Sequence, residues 1–109
     1  MRRISLFTTL ALALSGPAFG QILGDAVSGE ALYGKCESCH QIGPDAANRA
    51  GPVLNDIIGR TAGSYPDFRY GDDLVAAGAA GLIWTPEELF DYLADPRRFL
   101  QNTLNDRSA

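Results

Sequence analysis

The 109-residue sequence has few residues that bind metals or crosslink chains: one histidine, one methionine and two cysteines. Cys36 and Cys39 are three residues apart, so a disulfide between them would close a very small loop and stabilise little. A structural zinc site needs four ligands, and His40 is the only histidine available to join the two thiols. Because a chain of this size buries only a modest core, we expect any additional brace to be a bound cofactor.

Basic residues are also scarce. Nine lysines and arginines face thirteen acidic residues, the formal charge is −4, and Lys35 is the only lysine. Binding to nucleic acid requires a basic surface, so this composition argues against it. An acidic protein instead favours partners with a positive docking face, because complementary charge mainly speeds their encounter.

No segment alternates apolar and polar residues with β-branched side chains as a strand would, so we predict an all-α fold with long loops. Capping and periodicity signals predict three helices and, after them, a short turn through Phe99. The first helix runs from Gly24 to Lys35 with Asp25 as N-cap, and the second from Asp72 to Ala77 with Asp72 as N-cap. The third runs from Thr85 to Ala94, with a Thr85–Glu88 capping box and Pro86 at its first position.

The one long apolar run lies at the N-terminus. Arg2 and Arg3 precede the apolar stretch 4–14, and a Ser-Gly-Pro break is followed by small residues up to Gly20. This pattern predicts a signal peptide over residues 1–20 and a mature domain over 21–109. A membrane anchor is the alternative, but the run is short for a bilayer span. Loss of two arginines would change the formal charge from −4 to −6. We therefore expect a soluble periplasmic product with no stable membrane insertion.

The segment Cys36-Glu37-Ser38-Cys39-His40 has the pattern C-x-x-C-H, which is typical of covalent haem attachment. Two thiols at this spacing reach the two vinyl groups of one haem, and the next residue falls over the haem face. A thioredoxin-like redox pair also uses C-x-x-C, but it follows a strand in a βαβ unit. Chance occurrence is the remaining alternative. We predict one covalent haem c per chain, with His40 as the iron ligand.

An ordered set of further matches resembles the class I cytochromes c, in particular the soluble bacterial ones. The resemblance covers roughly residues 25–99 and is carried by these segments: Gly29-Glu30 through Tyr33, Cys36 to His40, Gly51-Pro52-Val53-Leu54, Gly59-Arg60, Tyr70-Gly71-Asp72, Trp84 to Leu89, Tyr92-Leu93 and Asp95-Pro96.

The resemblance implies short helices and loops wrapped around haem. It also implies a monomeric one-electron carrier, not an enzyme, that serves periplasmic redox proteins or membrane electron-transfer complexes. The backbone carbonyl of Pro52 is then the expected acceptor for His40. Arg60, Tyr70 and Trp84 are expected to bind a haem propionate. The alternatives are a solvated charge for Arg60 and ordinary packing for the two aromatic residues.

The sequence departs from the family after the last helix. The family's methionine ligand comes from a segment that corresponds here to 101–105, with Asn105 at the position of the methionine, and the sole methionine is Met1. The family's C-terminal helix, which crosses the N-terminal helix at a glycine such as Gly29, has no counterpart. Three hypotheses follow: a truncated, non-functional remnant, a piece of a longer sequence, or an iron with water, Asn105 or an external ligand opposite His40. The last would suit a ligand sensor or weak peroxidase.

Overall fold

The computed structural model describes residues 24–109, so the predicted signal peptide over 1–20 lies outside the described residues. Within that range the chain forms four helices joined by loops, and its only β-type pairing is an isolated bridge between Thr61 and Ile83. The all-α prediction is confirmed there. No helix among these residues has the length and apolar character to cross a membrane. The helices are α1 (Ala26–Tyr33), α2 (Asp72–Ala79), α3 (Pro86–Ala94) and α4 (Pro96–Leu104).

Side-chain caps set the start of three helices. Asp25 accepts a hydrogen bond from the Ser28 N–H at 2.7 Å, and Thr85 accepts one from the Glu88 N–H at 3.1 Å. Both N-caps were predicted from sequence. Asp72 was predicted as a cap as well, and this was wrong: it is the first helical residue of α2, after an extended Gly71. Its carboxylate instead lies in the first turn, where the helix dipole favours negative charge.

The last helix is longer than the predicted short turn through Phe99. α4 continues to Leu104 because Asp95 caps it, accepting from the Arg98 N–H at 3.0 Å, and Pro96 occupies its first position. Its apolar side chains Phe99, Leu100 and Leu104 pack against the buried core. Tertiary packing therefore extends a segment whose local sequence gave only a weak helix signal.

The described core lies among α2, α3, α4 and the loops before them. Trp84 is buried there with Ala62, Ala77 and Leu82. Its indole stacks on Phe99 at a centroid distance of 6.0 Å, and the ring of Tyr92 meets it edge-on at 5.1 Å. α4 packs against both α2 and α3. These contacts pack α2, α3 and α4 together around Trp84.

Two glycines in helices have opposite surroundings. A Cβ on Gly78 of α2 would lie 2.9 Å from the carbonyl carbon of Ala62, so only glycine lets these backbones meet. A Cβ on Gly29 of α1 would meet nothing within 4 Å among the described residues. The helix crossing that the family makes at this glycine is not formed among the described residues. α1 has no buried residue, and Val27 on it is 79% exposed.

We expect Gly78→Ala and Gly29→Ala to change stability in opposite directions. The added methyl at position 78 overpacks α2 against Ala62 and should cost about 1–3 kcal/mol or more. The same methyl at position 29 meets no neighbour and should stabilise α1 by up to about 1 kcal/mol. Urea unfolding of the 109-residue holoprotein measures both. A destabilising Gly29→Ala would contradict the exposed environment described for α1.

A second prediction concerns Tyr92. Burial raises the pKa of its hydroxyl above the usual value near 10. A raised folded-state pKa means that the neutral tyrosine stabilises the fold below pH 10, and that this contribution is lost as pH rises through the folded pKa. We expect Tyr92→Phe, which keeps the ring, to flatten the decline in urea stability above pH 10. Equal declines in both proteins would show that Tyr92 does not govern it.

Candidate haem site

The cysteine motif follows α1 as a series of tight turns. The Cys36 N–H donates to the Tyr33 carbonyl at 2.8 Å, and the N–H groups of Cys39 and His40 both donate to the Cys36 carbonyl, at 3.1 and 2.8 Å. Both thiols are exposed and neither forms a disulfide. The two cysteines therefore lie on neighbouring turns with their thiols accessible, and the histidine follows directly after them.

His40 is half-buried and forms hydrogen bonds through both its ring and its backbone carbonyl. Its Nδ1 lies 2.8 Å from the Pro52 carbonyl oxygen, which can only accept, so Nδ1 carries the proton and Nε2 is left as the donor to a metal. Its own carbonyl accepts from the Tyr33 hydroxyl. Partial burial raises the pKa of Tyr33, and the charge of Glu37 acts in the same direction.

The segment that carries Pro52 lies alongside the segment that carries His40. The Gly51 N–H donates to the Cys39 carbonyl at 2.9 Å, and the Leu54 N–H donates to the Gln41 carbonyl at 3.0 Å. Gly51 is buried, and a Cβ there would lie 2.6 Å from Nε2 and 2.7 Å from Nδ1 of His40. Glycine at position 51 therefore leaves the space that the imidazole ring occupies.

Arg60 is anchored by backbone and aromatic contacts. Its Nη1 donates to the Val53 carbonyl at 2.8 Å, and its Nη2 donates to the Asn55 carbonyl. The guanidinium carbon lies 4.6 Å from the centre of the Tyr65 ring, within cation–π range. Arg60 is thus not a freely solvated surface charge, since two of its five N–H donors are already used.

Tyr70 and Trp84 lie in the same region as Arg60. The Tyr70 hydroxyl oxygen accepts from the Tyr65 N–H at 3.1 Å, so one residue contacts both Tyr70 and the Arg60 guanidinium. The Trp84 N–H donates to the Arg60 carbonyl at 2.9 Å, and the Gly59 N–H donates to the Trp84 carbonyl at 2.7 Å. Tyr65 thus links Tyr70 to the Arg60 side chain, whereas Trp84 meets Arg60 through the backbone alone. Propionate binding by the three residues stays a prediction.

Sequence reasoning missed the roles of Tyr33 and Tyr65. Tyr33 was noted only as part of the resemblance, and Tyr65 was not singled out at all. No sequence motif marks either tyrosine, because the contacts of Tyr33 with His40 and of Tyr65 with Arg60 and Tyr70 form only when the loops fold. Asn105, which stands at the position of the family's methionine, is exposed and ends α4 at a left-handed φ of 50°. Its ligation of iron stays one of several hypotheses, beside water and an external ligand.

The donor set fits a haem attached through two thioethers. Two free, exposed thiols are followed directly by one imidazole with a fixed tautomer, and Gly51 leaves the space for that imidazole. Across residues 24–109, no three His, Cys, Asp or Glu side chains group together as a site for a bare metal ion.

Known proteins resemble this chain over most of its length. Cytochrome c2 of Rhodobacter capsulatus is 44% identical over 108 residues, covering 94% of this chain and 77% of the relative. Cytochrome c-551 of Roseobacter denitrificans is 46% identical over 112 residues, covering 96% and 78%. The solved structure of cytochrome c2 from Rhodospirillum centenum matches with a TM-score of 0.73 at 49% identity, covering 78% of this chain and 72% of that one. No family model matches the sequence.

Within residues 24–109, the helical fold without a sheet, the C-x-x-C-H turn and the histidine bound to a backbone carbonyl define a c-type haem protein of class I. The chain belongs to the class I cytochromes c, and within them to the soluble bacterial cytochrome c2 group. Its cofactor is covalent haem c, and its activity is electron transfer between redox partners, not catalysis.

We expect Gly51→Ala to disrupt the haem site. The added methyl occupies the space of the His40 ring, so the ring must move and its hydrogen bond to Pro52 is lost. The yield of holoprotein should fall, and any holoprotein formed should show an altered Soret band. Gly29→Ala adds the same methyl where nothing is near and is the matched control. A wild-type spectrum and yield for Gly51→Ala would contradict the geometry described.

Proposed function

We propose that the chain is exported by residues 1–20 and carries single electrons in the periplasm, with its haem held by Cys36, Cys39 and His40. The observation that carries this proposal is the hydrogen bond between His40 Nδ1 and the Pro52 carbonyl beside two free thiols. It leaves Nε2 as the available metal donor, and it lies immediately next to the attachment points. The domain limits follow from the apolar N-terminus and are a prediction of the sequence.

When bound, haem c supplies a one-electron iron(III)/iron(II) couple. The residues of the chain provide the attachment, the ligand and the surroundings. Cys36 and Cys39 offer two thiols for covalent attachment, and His40 offers one imidazole nitrogen. The Pro52 carbonyl fixes the tautomer and makes the imidazole a stronger donor, which favours the oxidised state. The Tyr33 hydroxyl donates to the His40 carbonyl, so the backbone of the ligand is held as well as its ring.

The cluster of Arg60, Tyr70 and Trp84 suits an anionic haem edge. Arg60 is held in place by two carbonyls and still has further N–H donors for a carboxylate. The Tyr70 hydroxyl oxygen accepts from Tyr65, so its own O–H is left to donate. We assign the binding of haem propionates to this cluster. Such contacts compensate the cost of enclosing a carboxylate in a protein.

The partners fit a positive docking face. Glu37 lies between the two cysteines and, with Asp45, lines a surface cavity next to His40. The chain as a whole has thirteen acidic and nine basic residues. A partner with lysines or arginines at its docking face would be attracted to this surface, and such attraction acts mainly on the association rate. Periplasmic redox proteins and membrane electron-transfer complexes with basic docking faces are the proposed partners.

We expect the reduced holoprotein to react with small oxidants according to their charge. Oxidation by the cation tris(phenanthroline)cobalt(III) should slow as salt is added, and oxidation by the anion ferricyanide should speed up, because salt screens both attraction and repulsion. Stopped-flow absorbance at the haem bands measures both rates.

Glu37→Gln should weaken both salt dependences more than Glu87→Gln, which removes the same charge from α3. Faster oxidation by the cobalt cation and slower oxidation by ferricyanide as salt is added would contradict an acidic docking face. A chain with no attached haem, or with no reversible one-electron couple, would contradict the proposed function itself.

A further inference from the structure

Asn55 and Gly43 form a pair of hydrogen bonds next to the His40–Pro52 contact. The Gly43 N–H donates to Asn55 Oδ1 at 2.9 Å, and Asn55 Nδ2 donates to the Gly43 carbonyl at 2.8 Å. The side-chain amide thereby satisfies both backbone groups of one residue, as a neighbouring strand would. Gly43 has a φ of 119°, a region that residues with a Cβ rarely adopt. We refer to this contact as the Asn55–Gly43 clip.

The clip joins the same two segments that carry His40 and Pro52. Along these segments the contacts run in order: the Gly51 N–H to the Cys39 carbonyl, His40 Nδ1 to the Pro52 carbonyl, the Leu54 N–H to the Gln41 carbonyl, and the clip. The hydrogen bond of the histidine is therefore enclosed between contacts on both sides. The clip is the outer contact and the only one of these made by two side-chain hydrogen bonds.

Asn55 is itself fixed from its other side. Its backbone carbonyl accepts from Arg60 Nη2, while Nη1 of the same guanidinium holds the Val53 carbonyl. The asparagine is half-buried, so water competes less well for its amide than it would at an open surface. The segment that carries Pro52 thus has a fixed position, and the clip transmits that position to the segment that follows His40.

We propose that Asn55 is a positioning residue for the axial ligand. Through the clip it keeps the Pro52 carbonyl at hydrogen-bond distance from His40 Nδ1 and so contributes to setting the reduction potential of the haem. This inference rests on the proposed ligation of iron by His40. A shorter or better-aligned hydrogen bond makes the imidazole a stronger donor and stabilises the oxidised state. Loss of the clip should therefore raise the potential.

Two variants remove the clip from opposite sides. Asn55→Leu keeps the approximate size of the side chain and removes both hydrogen bonds. Gly43→Ala keeps the asparagine and makes the backbone conformation of position 43 unfavourable. Asn102→Ala, an exposed asparagine on α4, is the control. The two site variants are independent, so a failure of one to fold still leaves the other to decide.

The measurements are the reduction potential by spectroelectrochemical titration and solvent exchange of the His40 Nδ1–H by NMR of the reduced holoprotein. We expect a higher potential in both site variants. We also expect exchange of the Nδ1–H on the order of tenfold faster, since one or two hydrogen bonds no longer oppose local opening. Asn102→Ala should match the wild type in both measurements.

A wild-type potential and exchange rate in the site variants, even with lowered thermal stability, would overturn the positioning role. That result would leave the ligation by His40 intact. A wild-type holoprotein with no exchange-protected His40 Nδ1–H would contradict the hydrogen bond to Pro52, whereas a chain that attaches no haem would contradict the ligation on which the proposal rests.

Discussion

The hydrogen bond between His40 Nδ1 and the Pro52 carbonyl is the constraint on which the haem site depends. It selects the tautomer, orients the ring and raises the donor strength of Nε2 in one contact. The position of the ring also explains why residue 51 is a glycine, since any side chain there would occupy the space of the imidazole. The backbone pairing of residues 39–41 with 51–54 keeps the two partners side by side.

The segment of helices α2 to α4 is connected to the loops around His40 by hydrogen bonds. The backbone of Trp84 pairs with Gly59 and Arg60, while the guanidinium of Arg60 reaches the carbonyls of Val53 and Asn55. Packing in the aromatic core is thereby connected to the segment that carries Pro52. The arrangement suits an electron carrier, because a ligand held from several sides changes little between the two oxidation states.

The sequence predicted the parts of the molecule that have local causes. C-x-x-C-H marks its own chemistry, and the caps at Asp25 and Thr85 follow from short-range hydrogen bonding. The length of α4 was underestimated because packing of Phe99 and Leu104, not local propensity, stabilises its last turns. The roles of Tyr33, Tyr65 and Asn55 were not predictable, since each acts on a residue that only the folded loops bring near. The Pro52 contact was expected from the family resemblance alone.

The most direct test of this account is the intact mass of the acid-denatured holoprotein, measured after treatment with a thiol-alkylating reagent. The account predicts one haem per chain that survives denaturation, with Cys36 and Cys39 both protected from alkylation. A mass equal to that of the bare polypeptide with two alkylated thiols would contradict covalent attachment at this motif, and with it the assignment of His40 as the iron ligand.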